Sequence, residues 1–549
     1  MAPHTGQTSS YFSGPDTNNA YRDLLAQIVN YATSISVTDA AVDMGGSGYV
    51  TGDIVEFQHV SAIHYARFVV TASAGAITAL HIQNGGTFAR RVASAVVGAS
   101  GGSNYAVDDV IAVDDPALIA GTDYRQRAKF RVATLNGSEI ATVAILEGGT
   151  SGAGSYITDP DTTDVATELI SPGTGSGAVL DLTMQTAPPS SPTSGSTLTT
   201  ITGSGSGGTA DLTLAANGWH CLRDQHDFSY DTETDEKEVV MEGTVTGGDT
   251  PIIAFRTWSD DDGVNDRRGI LFSAMEAFNP AMTLEAQQGI LGQSDTPGAS
   301  SGSYVSLLDE DTDFWLVVSG RRIGGCVFAE GATVDNYQSF YIGLGRPLGT
   351  ATESPYPMFV GGAISGTEVD PEAGGIDSTS VSECFKNTSR TGPNFYRRPS
   401  DGTWLEVING QGTAFPVSPA FQRVMFPVGE PAAAASSDDD YIVENGNFTF
   451  FNSIGQNDGS AATLQMRPTP DTGGDKFLVI PLTLIRCIPS TTEFDVHMEL
   501  EGFFWVSATK SDGSLLTAQD TISEGVDLYR VFPSGSRVQR YSFWAMKEE

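Results

Sequence analysis

Basic residues are few: 29 Lys and Arg stand against 67 Asp and Glu in 549 residues, a formal net charge of −38. A surface this negative repels phosphate backbones and anionic lipid headgroups, which argues against nucleic-acid binding and against electrostatic attachment to membranes. It leaves basic protein surfaces, divalent cations and neutral ligands such as sugars as partners, and it favours solubility at high concentration. Cysteine is nearly absent. Cys221, Cys326, Cys384 and Cys487 lie far apart and form no C-x-x-C pair, so buried free thiols are expected rather than a zinc site or a disulfide framework. Long apolar runs are missing as well. The greasiest stretch, Phe477 to Ile485, falls well short of the ~20 residues of a membrane helix, and no membrane insertion is expected. The start, Met1 to Gly6, lacks the basic and apolar regions of a secretion signal. A soluble chain made in the cytoplasm is the expectation.

Reaction motifs are also lacking: there is no G-x-S-x-G elbow, no H-E-x-x-H and no P-loop. The acidic cluster Asp260-Asp261-Asp262-Gly263-Val264-Asn265-Asp266 has the alternating carboxylates and the glycine of a calcium loop. Val264 occupies a ligand position, however, and no Glu closes the loop; a solvated turn is the plainer expectation, with a bound cation left open. Asp438-Asp439-Asp440 is a weaker case. His220 and His226 flank Cys221 and Asp224 with a spacing that fits no metal-ligand pattern. Gly324-Gly325 and Gly361-Gly362 lack a strand–glycine–helix context and read as turns. No catalytic, cofactor-binding or metal residue is assigned, no cofactor is expected, and the chain is read as non-enzymatic. Glycoside hydrolysis needs only two carboxylates across a cleft, so composition alone does not rule it out.

What the chain does contain is repetition. Gly45-Gly46-Ser47-Gly48-Tyr49-Val50-Thr51-Gly52-Asp53-Ile54-Val55 returns as Gly101-Gly102-Ser103-Asn104-Tyr105-Ala106-Val107-Asp108-Asp109-Val110-Ile111, at an offset of 56 residues. Each copy is a glycine turn, one aromatic anchor and a run ending in β-branched residues, which predicts turn then strand. Matching strands follow, Ala66 to Thr71 and Ala128 to Thr134, and then apolar strands that lead into Asn84-Gly85-Gly86 and Glu147-Gly148-Gly149. A second echo links Gly173-Thr174-Gly175-Ser176-Gly177-Ala178-Val179-Leu180-Asp181-Leu182-Thr183 to Gly203-Ser204-Gly205-Ser206-Gly207-Gly208-Thr209-Ala210-Asp211-Leu212-Thr213.

Charged residues make up 17% of the chain, against about 25% in ordinary globular proteins. The balance is Gly, Ser, Thr and Ala, a composition suited to short strands and many turns. With 27 Phe, 17 Tyr and 6 Trp the chain still has the aromatics for real cores. One helix is expected early, where Tyr21, Leu24, Leu25, Ile28 and Tyr31 recur at helical spacing after the candidate caps Asp16, Thr17 and Asn18.

The fold class is therefore mainly β: tandem small modules behind an N-terminal helix, then antiparallel sandwich or jelly-roll-like domains. The predicted division is an arm and docking helix at 1–40, a module of about four strands at 41–97, a second at 98–185, a Pro/Gly/Ser-rich linker at 186–216, and a β-rich body at 217–549 that divides into two subdomains or stays whole.

One block stands out: Phe314 to Ile323, then Asn336 to Leu344, then Ser354-Pro355-Tyr356-Pro357-Met358-Phe359-Val360-Gly361-Gly362. This strand, Tyr-rich segment and Tyr-Pro turn resembles a pattern in virion structural proteins of tailed bacteriophages, and the finish Arg540 to Met546 is similar to the ends of those chains. The Gly-Gly-Ser-Gly-Tyr modules are similar to repeats of phage tail and fibre proteins. The resemblance implies a structural virion component of the tail, baseplate or fibre apparatus. Other virion proteins, copies of the same chain in a trimer or ring, and a host glycan or protein receptor are its implied partners. Head decoration or head fibre, and a tail-borne polysaccharide depolymerase, are the alternatives. Tyr337, Tyr341 and Tyr356 are expected either at a packed core edge or at a subunit or receptor contact.

Overall fold

The computed structural model describes residues 4–8, 20–113, 124–146, 153–156, 162–169, 174–224, 238–243, 250–261, 266–290, 303–307, 312–329, 336–350, 358–362, 364–365, 381–382, 394–397, 404–407, 423–425, 479–487, 494–506, 516–524, 527–533 and 543–547. The described residues are nearly all in antiparallel sheets, with one α-helix. The chain divides into two compact units, the first running from Arg22 to Glu242.

In the first unit, α1 (Ala20–Thr33) leads into a series of strands, twelve of which build two alike sheets. These are β1 (Ile35–Ser47), β2 (Ile54–Phe57), β3 (Ala66–Ser73), β4 (Ala76–Asn84), β5 (Val92–Ser103), β6 (Val110–Val113), β7 (Lys129–Asn136), β8 (Glu139–Ile145), β9 (Val165–Leu169), β10 (Ser176–Met184), β11 (Thr193–Thr200) and β12 (Ser206–Ala216). They sort into two sheets that share one six-strand topology, the first extended beyond β1 by two short strands, Thr87–Phe88 and Ala62–His64, to eight strands. One has the spatial order β1-β12-β11-β2-β3-β4 and the other β5-β10-β9-β6-β7-β8. Each sheet curls into a nearly closed barrel, because its first strand crosses its last. Gly45 and Gly101 permit that crossing: a Cβ there would lie 2.7 Å from the Ile77 carbonyl oxygen and 2.6 Å from that of Ile140.

The modules are therefore not in tandem. The second barrel, 92–184, sits inside the sequence of the first, between β4 and its two closing strands. Residues 193–216, expected within a linker, are β11 and β12, and β12 pairs with β1 from Ser206↔Ser47 to Ala216↔Ile35. Only the short proline segment around Pro188 and Pro189 connects. The expected boundaries at 40, 97 and 216 move for the same reason. β1 begins at Ile35, β5 begins at Val92, and the compact unit runs on to Glu242. Each module also has six strands in its barrel, not four, since an open four-stranded meander would leave the inner apolar face uncovered.

Alternation along the strands fills each barrel from its own residues. Val55, Phe68, Val70, Leu80, Leu198 and Leu212 belong to the first core, and Ile111, Phe130, Val132, Ile140, Leu180 and Leu182 to the second. The apolar stripe of the helix was expected to bury either within its own domain or, as a docking element, on a neighbouring subunit. Leu25, Ile28, Val29, Tyr31 and Ala32 are buried within its own chain. Tyr31 Oη and the Asn84 carboxamide exchange hydrogen bonds of 3.0–3.2 Å, and Asn217 Nδ2 donates to the Tyr31 carbonyl at 2.5 Å. The candidate caps Asp16–Asn18 lie outside the described residues, as do the side chains of Tyr21 and Leu24.

The second unit contains the expected sandwich. One sheet runs Thr312–Ser319, Arg322–Ala329, Asn336–Leu344, Met358–Gly361, Asn394–Arg397 and Trp404–Val407, in that spatial order. The other runs Arg423–Met425, Val479–Cys487, Phe494–Val506, Phe543–Lys547, Asp527–Pro533 and Thr521–Glu524. Trp315, Tyr337, Tyr341 and Phe359 from the first face Phe503, Phe532 and Trp544 from the second in one core. Gly324 and Gly325, expected in a turn, lie within the strand Arg322–Ala329. A Cβ on Gly324 would meet the Phe503 ring at 2.7 Å, and one on Gly325 the Trp315 carbonyl oxygen at 2.0 Å. Close packing, not chain reversal, requires that pair.

Candidate functional site

The repeated motif residues converge on one arrangement in each barrel, a seam where a tyrosine ring lies flat on a glycine of the closing strand region. A Cβ on Gly205 would fall 2.2 Å from Tyr49 Cδ1, and one on Gly175 would fall 2.2 Å from Tyr105 Cδ1. Only glycine leaves room for either ring. The two echoes seen in the sequence are thus the two halves of a single contact, and the glycine half is what reading the tyrosine motif alone misses.

The turn carrying each tyrosine is built alike. Val50 N donates to Asp53 Oδ2 at 2.9 Å, and Ala106 N to Asp109 Oδ2 at 2.9 Å. These side-chain bonds satisfy backbone donors that the tight turn would leave unmade. Gly52 N then donates to the Val70 carbonyl at 2.8 Å and Asp108 N to that of Val132 at 2.9 Å. Tyr49 N reaches the Gly75 carbonyl at 3.0 Å, and Tyr105 N that of Ser138 at 3.1 Å, tying the first strand to the far hairpin. Gly46 (φ 59°) and Gly102 (φ 67°) turn the chain in the left-handed region, where a Cβ would strike a carbonyl of the closing strand.

The seams differ at the hydroxyl. Tyr49 Oη accepts from Gly208 N at 3.3 Å and, at longer range, from Thr200 Oγ1 at 3.5 Å. Tyr105 Oη is buried with no hydrogen-bond partner among the described residues.

A buried polar cluster lies at the point where the chain leaves the first barrel. Arg91 donates to Asn30 Oδ1 at 3.2 Å, Ser155 Oγ to the Thr33 carbonyl at 3.0 Å, and Asn217 N to the Ser34 carbonyl at 2.9 Å. Burial holds the Arg91 guanidinium below its ordinary pKa and raises that of Tyr31. Single polar residues at isolated positions carry no periodic signal, so the sequence gives no sign of this cluster.

The residues weighed for chemistry stay apart. Asp260 and Asp261 pair with Arg267 and Asp266 at the end of a β-hairpin, while 262–265 lie outside the described residues. Among the described residues no three His, Cys, Asp or Glu side chains are placed to hold a metal ion. His220 Nε2 lies 2.9 Å from Glu242 Oε2, a pairing across strands, and Cys221 and Cys326 are buried. His226 and Asp438–Asp440 fall outside the described residues, as do Pro355, Tyr356 and Pro357.

Tyr337 and Tyr341 belong to the sandwich core rather than to a contact surface. Tyr337 packs on Phe328 with ring centroids 4.6 Å apart, and Tyr341 meets Phe359 and Phe503 edge-on at 5.7 and 5.4 Å. The Tyr341 hydroxyl donates to the Leu344 carbonyl at 2.8 Å. Beside it Arg322 is buried, one guanidinium nitrogen 3.3 Å from the Val317 carbonyl oxygen and the group 5.8 Å from the Phe503 ring centre. That stacking offers partial compensation for a desolvated cation. Neither a scan against protein-family models nor a search of curated proteins finds a match to the chain.

Proposed function

We propose that the chain is a non-enzymatic structural component of a tailed-bacteriophage virion, placed in the tail, baseplate or fibre apparatus, where it assembles with other virion proteins and with copies of itself. The observation that carries this reading is where the repeated residues go. Tyr49, Tyr105, Gly175 and Gly205 all serve to close small barrels. A motif that recurs because it makes a rigid body is what a spacer or building block needs. The aromatic block of the sandwich supports the same reading, since Tyr337 and Tyr341 are packed into a core.

Gold-labelled antibody against the chain, applied to particles of the phage that encodes it, is expected to mark the tail. Label on the head instead would favour decoration or head fibre. Absence of the chain from purified particles would overturn the proposal. Host polysaccharide incubated with the protein should keep its length; shortening would establish a depolymerase instead.

A further inference from the structure

We propose that residues 92–184 are a separately folding insert carried by the first barrel, a cassette that opens and closes without its host. Four observations carry this. The entry and exit of the insert are adjacent: Val92 pairs with Met184, and Gln185 N donates to the Arg91 carbonyl at 2.7 Å. The chain thus leaves and rejoins the host through a neck two strands wide.

The insert is also complete in itself. Among the described residues its sheet takes no strand from the host, and its core of Val92, Ile111, Phe130, Val132, Tyr156, Leu180 and neighbours shares no residue with the host core. The host is complete as well. β11 pairs directly with β2 through Leu198↔Phe57 and Thr200↔Val55, and β12 pairs with β1 along its length. Among the described strands neither barrel borrows a wall from the other.

The contacts at the neck include polar ones, Ser155 Oγ to the Thr33 carbonyl, Arg91 to Asn30, and Tyr156 N to the Arg90 carbonyl at 3.0 Å, and the short strand Tyr124–Gln126 of the insert lies beside Trp219–Asp224. Hydrogen bonds can be replaced by water at small net cost, whereas opening either apolar core cannot. The neck therefore couples the two barrels weakly, and each behaves as its own cooperative opening unit. Adjacent ends also make the insert exchangeable for another body with the same end spacing. This holds whether or not the virion assignment does.

Amide hydrogen exchange on the full chain tests it. Phe68 and Phe130 occupy matching core positions, each fully buried. Phe130→Ala is expected to speed exchange in 129–145 and 176–184 by on the order of 100-fold or more, with 66–84 and 206–216 unchanged. Phe68→Ala should do the reverse. Loss of protection in both barrels from either substitution would show one cooperative body and overturn the proposal. Should the phenylalanine variants fail to accumulate, the milder pair Val70→Ala and Val132→Ala makes the same comparison with the same two outcomes.

Discussion

Removing one oxygen atom from each seam should move the two barrels in opposite directions. In Tyr49→Phe the Gly208 N–H loses its 3.3 Å acceptor and Thr200 loses a long contact. A hydrogen bond of this kind is worth about 1 kcal/mol net, so the first barrel should weaken by about that amount. Tyr105→Phe removes a buried hydroxyl that has no partner among the described residues. Such a group carries an uncompensated desolvation cost of about 1–3 kcal/mol, so the second barrel should gain about 1 kcal/mol. The gap of about 2 kcal/mol corresponds to roughly a 30-fold difference in opening equilibria. Global melting would blur it, because a chain of several bodies does not unfold in two states. Exchange of amides in 76–84 and in 139–145, measured separately, resolves it. If Tyr105→Phe loosens its barrel as much as Tyr49→Phe loosens the other, the Tyr105 hydroxyl has a partner and the reasoning fails.

Further tests address other parts of the structure. Gly205→Ala places a methyl 2.2 Å from the Tyr49 ring and should destabilise the first barrel by about 1–3 kcal/mol; pairing it with Tyr49→Ala should return part of that loss in a double-mutant cycle. Gly325→Ala, with its Cβ 2.0 Å from the Trp315 carbonyl oxygen, should prevent the sandwich from closing, read as lost near-ultraviolet circular dichroism. Burial first, then the Asp527 carboxylate beside its hydroxyl, pushes the Tyr529 pKa up to about 12. The unfolded chain ionises this residue first, so its stabilising contribution is complete below pH of about 10 and is lost as pH rises toward 12. Tyr529→Phe should flatten that alkaline decline in denaturant midpoint, and an unchanged slope would count against the assignment. Asn217→Ala removes donors to the Tyr31 carbonyl and Ser36 and should release α1, seen as faster exchange in 25–33 with the β3–β4 hairpin unaffected.

Much of the fold was legible. The period-2 strands, the matched copies at Phe68 and Phe130 and the aromatic sandwich follow from patterning alone. Nesting does not follow from similarity, since two alike segments say nothing about which strands pair. The order of the echoes, however, did hold the answer. Two opening motifs at 45–55 and 101–111 precede two closing motifs at 173–183 and 203–213, and a tandem pair would close the first body before opening the second. The seam was half-visible: the tyrosines were conspicuous, but their glycine partners lie far along the chain, as Gly205 does from Tyr49. Gly324-Gly325 looked like a turn because its reason, the Phe503 ring and the Trp315 backbone, comes from packing that no local window contains.

The interrupted barrel has a consequence for synthesis. When Asn84 leaves the ribosome, β1 to β4 are made but β11 and β12 are not, and about 100 residues must follow before they appear. At ordinary elongation speeds that wait is on the order of 5–20 s. Throughout it β1 and β2 offer bare strand edges, while the inserted body has everything it needs to finish. Two nascent chains on one messenger could trade those edges, so finishing the inserted body before the barrel that flanks it is the hazard this chain carries during its own translation.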